Sequence, residues 1–250
     1  MANNAQVFSA TSDGICELVL DSPGRKNALS YDLLEDLNRK LSLARDDGAL
    51  AVILTGSGDT FSAGADFADL TGTIGDLAID DAIEQAVTQI CSMPVPVIAA
   101  IEGPCMGGAI DIALACDFRV ASEDAFFEVP AVRLGLLYNP EAVRRWRARL
   151  SGLALRRVLL LGERLTAAEA NQAGLISHLV AAGCALDKSR ELAHRSAKGT
   201  RDAVAATKSL LLALDSGETD LARWEQIRKE ILDSPERLES VSRARGTKKR

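Results

Sequence analysis

Histidine is almost missing from this chain: His178 and His194 are the only two among 250 residues. The first lies in the apolar run 175–180 and the second among charged neighbours in a helical stretch, so a histidine-based nucleophile site is not expected. No apolar run approaches the roughly 20 residues that span a bilayer, and the protein is not expected in a membrane. The five cysteines (16, 91, 105, 116 and 184) contain no CxxC pair. Their odd number in apolar surroundings fits reduced thiols buried as small hydrophobes, with neither disulfide nor metal site. A basic stripe is also lacking: the net charge is -6 and the pI near 5.1, which argues against nucleic acid as a partner. The short basic tail 243–250 is the exception, and without aromatic residues or periodicity it reads as a solvated terminus. The opening residues 1–6 carry neither a basic n-region nor an apolar h-region, so the expected location is the cytoplasm. The run 56–61 lacks the third glycine of a dinucleotide fingerprint and no GxxxxGK[ST] loop exists, so no nucleotide redox cofactor is expected.

What is present is the patterning of one layered α/β core, with 47% hydrophobic and 26% charged residues. Residues 6–20 alternate weakly around Gly14 and predict a hairpin. Ser30 caps a helix whose apolar stripe is Leu33, Leu34, Leu37, Leu41 and Ala44. Strands are predicted at 51–55, 97–102, 118–121 and 125–127, with a helix near 79–91, a short one at 107–115 and a loop-like, mobile rim at 70–76. Beyond residue 140 helices dominate, near 140–150, 153–162, 167–173, 183–197, 200–214 and 219–232. Thr166 to Glu169 forms a capping-box pattern, and Ser234-Pro235 starts a last helix.

Two glycine-bearing turns stand out, Phe61-Ser62-Ala63-Gly64-Ala65-Asp66 and Cys105-Met106-Gly107-Gly108-Ala109-Ile110-Asp111. Each follows a buried-type strand and leaves bare backbone N–H groups where a ligand could sit. Paired preorganised amides stabilise charge on a carbonyl oxygen, although a glycine turn before a helix also binds phosphate or simply permits close packing.

With these turns placed, the chain resembles the crotonase superfamily, the enoyl-CoA hydratase/isomerase family. The resemblance covers nearly the whole chain and rests on 25–29, 56–66, 101–111, 165–170 and 173–176. It implies an α/β fold, a crotonase-like spiral of repeated ββα units over 1–190, followed by a C-terminal helical oligomerisation region, 191–250. It also implies an acyl-CoA thioester as substrate, with coenzyme A entering as part of that substrate and no further cofactor. A homotrimer or dimer of trimers is implied too, for which Leu210, Leu211, Leu212, Leu214, Leu221, Trp224, Ile227 and Ile231 supply apolar surface.

Residue by residue, the resemblance assigns the oxyanion donors to the N–H groups of Ala65 and Gly108. It puts Arg25, Lys26 and Ala28 with Ala63, Gly64, Ala65 and Asp66 against coenzyme A. Asp66 also suits a helix N-cap. Asp111, one helical turn after Gly108, is the acid/base candidate, and a buried hydrogen bond is its alternative role. Family hydratases carry Glu there, so the arm is shorter by about 1.5 Å. Ala131 stands where the second hydratase glutamate is usual, which makes efficient hydration doubtful and favours an isomerase or atypical hydratase. Glu128, three residues earlier, would point to the opposite face of an extended segment. Tyr138 and Asn139 are further pocket candidates, resembling in part the decarboxylase branch of the family. Otherwise Tyr138 is a packed aromatic and Asn139-Pro140 a helix-starting turn. Decarboxylation of a malonyl-type thioester and acyl-CoA binding without catalysis are the alternative activities.

Overall fold

The computed structural model describes residues 5–247, so most of the opening segment and residues 248–250 of the basic tail lie outside the described residues. Strands β1 (Gln6–Ser12) and β2 (Ile15–Asp21) form the expected antiparallel hairpin. Its two-residue turn puts Asp13 at φ 52° and Gly14 at φ 77°, the left-handed pair that matches the twist of the flanking strands. From β2 onward the main sheet is parallel, through β3 (Ala51–Gly56), β4 (Val97–Ile101), β6 (Phe118–Ser122) and β9 (His178–Val180) in that spatial order. A smaller sheet orders β5 (Pro104–Met106), β7 (Phe126–Glu128) and β8 (Leu165–Thr166).

The strand-strand-helix repeat is visible in the connections. β4 leads into β5 and then helix α3 (Gly108–Ala115), and β6 leads into β7 and then a 3₁₀ turn (Ala131–Leu134) and helix α4 (Pro140–Arg149). The coils that start from β4 and β6 each add one strand to each sheet, whereas those from β2 and β3 meet the second layer only through the isolated bridges Leu29–Ala65 and Ser62–Cys105, so the turns of successive coils stack side by side.

The parallel strands are apolar on both faces because both are covered. Val52, Leu54, Val97, Ala99 and Ile101 join the large core with α1 (Tyr31–Asp46), α2 (Leu77–Ser92) and α3, whereas Ala51, Ile53, Ile98 and Ala100 join a smaller core beneath α7 (Ala185–Ser196). The alternation divides each strand between two cores. Ser30 caps α1 by accepting the Leu33 N–H, and the five residues of the predicted stripe are the buried ones.

Helices α5 (Gly152–Leu161), α6 (Ala167–Gln172), α8 (Arg201–Asp215), α9 (Ala222–Leu232) and α10 (Pro235–Thr247) complete the chain. Ser234 Oγ accepts the Arg237 N–H at the start of α10, as its Ser-Pro signature predicts. The capping box of α6 is complete: Thr166 Oγ1 accepts the Glu169 N–H, and Glu169 accepts the Thr166 N–H. Arg157 donates to the same carboxylate at 2.7 Å and, with Thr166, holds its pKa down to about 2 from 4.5. A depressed carboxyl stabilises the fold above its unfolded pKa, and that contribution disappears as pH falls through the folded value. The stability gap between the wild type and Glu169→Gln, read from urea midpoints, should therefore be flat above pH 4.5 and close as pH approaches about 2. A gap that persists unchanged at the acid end contradicts an ionic cap.

Three details differ from the sequence reading. β5, β8 and β9 are strands of two or three residues, too short to show a period of their own. Cys184 is exposed rather than buried, since it sits just ahead of α7. The rim 70–76 is not a loop throughout: Ile74–Asp76 form a 3₁₀ turn, and the Asp76 carboxylate accepts from the Thr71 N–H, Thr71 Oγ1 and the Gly72 N–H at 2.7 to 3.0 Å.

Candidate active site

The loop 25–29, the turn 61–66 and the turn 104–108 belong to successive coils and are stitched edge to edge by main-chain bonds. Ala63 N–H donates to Lys26 O (2.9 Å), Leu29 N–H to Gly64 O (2.8 Å) and Asp66 N–H to Leu29 O (3.0 Å). On the other side, Phe61 and Ser62 N–H donate to Pro104 O, and Met106 N–H to Ser62 O. Gly64 makes this approach possible. It has φ 87°, and a Cβ there would stand 2.7 Å from Met106 O, so any side chain would force the two turns apart.

Within the turns 61–66 and 104–108 the stitching leaves two amides over. Ala65 is flanked by the bonds that join Leu29 to its neighbours, and its own N–H has no partner among the described residues. Gly108 is the first residue of α3, where a helical N–H has no acceptor within the helix, and it is likewise unpaired among the described residues. The seven residues expected to meet coenzyme A (Arg25, Lys26, Ala28, Ala63, Gly64, Ala65 and Asp66) form one continuous strip on the first two turns. Asp66 is the N-cap of a 3₁₀ turn, accepting the Ala68 N–H, and it pairs with Arg25 at 2.6 Å. Arg25 and Lys26 are exposed.

Asp111 sits within the first turn of α3 and is buried. Arg145 Nη2 reaches its two oxygens at 3.1 and 3.0 Å, and the Trp146 indole N–H donates to Oδ1 at 3.1 Å. Arg145 in turn grips Glu84 of α2 with two bonds of 2.7 Å. Burial pushes the Asp111 carboxyl above the usual range, an effect opposed by Arg145 and Trp146. The half-buried Tyr138 packs its ring 5.2 Å from that of Trp146, and its hydroxyl has no hydrogen-bond partner among the described residues. Asn139 caps α4, its side-chain oxygen accepting from the Glu141 and Ala142 N–H groups.

Ala131 is buried and begins a 3₁₀ turn, so the segment is not extended there. Glu128 is held by Arg133 and Arg164, and these pairs consume both its oxygens. Among the described residues no group of three or more His, Cys, Asp or Glu side chains could hold a metal, and no helix is long and apolar enough to cross a membrane.

The sequence model of the enoyl-CoA hydratase/isomerase family matches residues 10–245. The chain belongs to this family. Its relatives include the 2,3-dehydroadipyl-CoA hydratase of Escherichia coli K12, 30% identical over 231 residues that cover 90% of this chain and 89% of that protein. The enoyl-CoA isomerase/hydratase fer4 of Mycosarcoma maydis is 30% identical over 250 aligned positions, covering 93% and 90%. Among solved structures, an enoyl-CoA hydratase/isomerase family protein from Hyphomonas neptunium superposes with a TM-score of 0.91 at 31% identity, covering 99% of this chain and 97% of that one. The fold is therefore the crotonase spiral, and the protein is an acyl-CoA enzyme of the enoyl-CoA hydratase/isomerase family.

Sequence reasoning in this family site found Asp111 but missed what surrounds it. Glu84 and Arg145 lie far from it along the chain. With Ala142 and Trp146 as the buried face of α4, Arg145 flanks that face and turns inward. Asp80, also on α2, was not singled out at all.

Proposed function

We propose that the protein binds the thioester carbonyl of an acyl-CoA between the Ala65 and Gly108 amides and stabilises the enolate that forms there. The observation that carries this reading is the pair of unpaired amides on two turns bonded directly to one another. Fixed donors of this kind favour charge developing on the oxygen without reorganisation. Arg25 and Lys26 lie at the exposed end of the strip, where cationic side chains suit the phosphates of coenzyme A. A carboxylate at the start of α3 moves the proton, and Asp111 is the residue to which the family resemblance points.

Isomerisation of a double bond, or atypical hydration, is favoured over efficient hydration. The reason is Ala131: a methyl group stands where a second carboxylate would activate water, and Glu128 is committed to two arginines. Leu211, Leu214, Leu221, Leu232 and Leu238 are exposed on or beside α8 to α10, which supports assembly as a homotrimer or dimer of trimers through these helices.

The test is a panel of enoyl-, dienoyl- and malonyl-type thioesters analysed by mass spectrometry. The expected result is a shifted double bond or added water on an enoyl or dienoyl substrate. Release of CO₂ from the malonyl-type thioester would replace this reading with decarboxylation, and tight calorimetric binding with every thioester unchanged would replace it with a carrier.

A further inference from the structure

Asp111 is poorly placed to give and take a proton freely, because three donor contacts from Arg145 and Trp146 occupy its oxygens. Contacts of this kind hold a carboxylate in one geometry. One helix away, α2 supplies a carboxylate without such ties. Asp80 lies on the same face of α2 as Ile83 and Glu84, three and four residues on. Both neighbours fix where that face looks. Ile83 packs on Gly108, so closely that a Cβ added there would come within 2.6 Å of Ile83 Cδ1, and Glu84 is linked to Asp111 through Arg145. Asp80 is thus one turn above the residue that touches an oxyanion amide and one turn above the residue that anchors Asp111.

Asp80 is half-buried and makes no hydrogen bond or ion pair among the described residues, unlike Glu84 and Asp111. From these placements we propose that Asp80 is the group that accepts and returns the substrate proton, while Asp111 stays held in place by Arg145 and Trp146. This rests on the acyl-CoA reading above and reassigns its proton step. The Asp80 carboxylate takes a proton from the carbon next to the thioester: that C–H bond breaks, an O–H bond forms on Asp80, and the electron pair moves onto the thioester oxygen held by the two amides. In isomerisation the same O–H then breaks as the proton is delivered to the γ-carbon, the electron pair returns, and no further reactant is needed.

The charge environment agrees. Burial raises the Asp80 pKa, and Asp81, Asp111 and Asp76 raise it further, which moves a carboxylate toward the range where it both accepts and donates. Burial, reinforced by the charges of Asp111 and Asp80, pushes the Tyr138 hydroxyl well above its ordinary value, so it stays protonated. The charged or titratable groups around Asp80 are therefore Asp76, Asp81, Glu84, Asp111, Arg145 and Tyr138, with Arg145 already taken by two acids.

The experiment measures conversion of a short 3-enoyl-CoA to the conjugated thioester, and deuterium incorporation from D₂O, in the wild type, Asp80→Asn, Asp80→Glu, Asp81→Asn and Asp111→Asn. Asp80→Asn should lower kcat and deuterium incorporation about a hundredfold, with calorimetric binding of coenzyme A unchanged. Asp80→Glu should recover part of the rate. The wild-type acid limb of kcat/KM should vanish in Asp80→Asn and move to lower pH in Asp81→Asn, because removing a like charge lowers the Asp80 pKa. Asp80→Asn within threefold of the wild type while Asp111→Asn is inert overturns the inference and returns the proton to Asp111. Loss of coenzyme A binding in step with turnover in Asp80→Asn also overturns it, as a structural effect. A wild type that neither isomerises nor exchanges protons removes the acyl-CoA isomerase reading and this inference together.

Discussion

Gly108→Pro combined with Ile83→Val should reduce kcat/KM for the turned-over thioester by about 10²- to 10³-fold while leaving the fold and coenzyme A binding in place. Proline is well tolerated at the first position of a helix, because the N–H it lacks has no acceptor in the helix. Gly108 occupies that position in α3, and its backbone lies outside the left-handed region, so the ring can be accommodated. The obstacle to the new Cβ is Ile83 Cδ1, 2.6 Å from it. The other Ile83 atoms nearby stand 3.6 Å away, so Ile83→Val removes the clash. The double variant then lacks one hydrogen-bond donor at the proposed oxyanion position and sets the ring Cδ where that N–H pointed. Gly108→Ala with the same Ile83→Val keeps the donor and adds the same Cβ, and it should stay within about threefold of the wild type by the arithmetic of small barrier changes. Equal activity in the proline and alanine doubles would mean that this amide does not touch the reacting carbonyl. Since the strip proposed to hold coenzyme A lies on the first two turns, calorimetric binding of free coenzyme A should not separate the two variants.

The elements that carry local periodicity were legible in the sequence. The leucine stripe after Ser30 gave α1, and the capping patterns at Thr166 and Ser234 gave two helix starts. The buried runs at 51–55 and 97–101 announced themselves as strands covered on both faces, although their division between two cores needed the packing of α7. Of the small sheet only β7 was legible, from the run 125–127, because Leu165 and Thr166 as a strand are defined by pairing with Phe127 and Phe126 and by nothing in their own order. The site divides in the same way. The two glycine turns could be placed because a glycine turn after a buried strand is a local signal, and the family resemblance then pointed to the Ala65 and Gly108 amides within them. The Glu84–Arg145–Asp111 chain could not, because its members are 61 and 34 residues apart and meet only when α2, α3 and α4 pack. Asp80 carries no motif; it becomes visible once Ile83 and Glu84 show which way α2 faces.

Asn27 should prove the most sensitive residue for stability outside the apolar core, since one buried side chain serves three main-chain groups. Its Nδ2 donates to Ser57 O (2.9 Å) and Thr60 O (2.7 Å), and its Oδ1 accepts the Ser22 N–H at 3.2 Å. It thereby ties the loop after β2 to the loop that enters the first glycine turn, and the next residue after Thr60, Phe61, starts the bonds to Pro104. Its φ of 53° is a second constraint, because the left-handed region admits Asn more readily than Ala. Asn27→Ala leaves polar groups unpaired in a buried place and should cost about 2–4 kcal/mol, lowering Tm by roughly 4–16 °C for a chain of this size. Asn27→Asp should be worse. It keeps the acceptor for Ser22 but turns an oxygen toward two carbonyl oxygens, replacing attraction by repulsion. Asn27→Gly removes the backbone strain without restoring the bonds, so it should fall between the wild type and Asn27→Ala. Urea unfolding of the four proteins orders them directly. An Asn27→Ala cost below about 1 kcal/mol, the ordinary range of a surface change, together with Asn27→Asp no less stable than Asn27→Ala, would show that the loops hold their register without this side chain and that the Ala65 turn is positioned by its main-chain bonds alone.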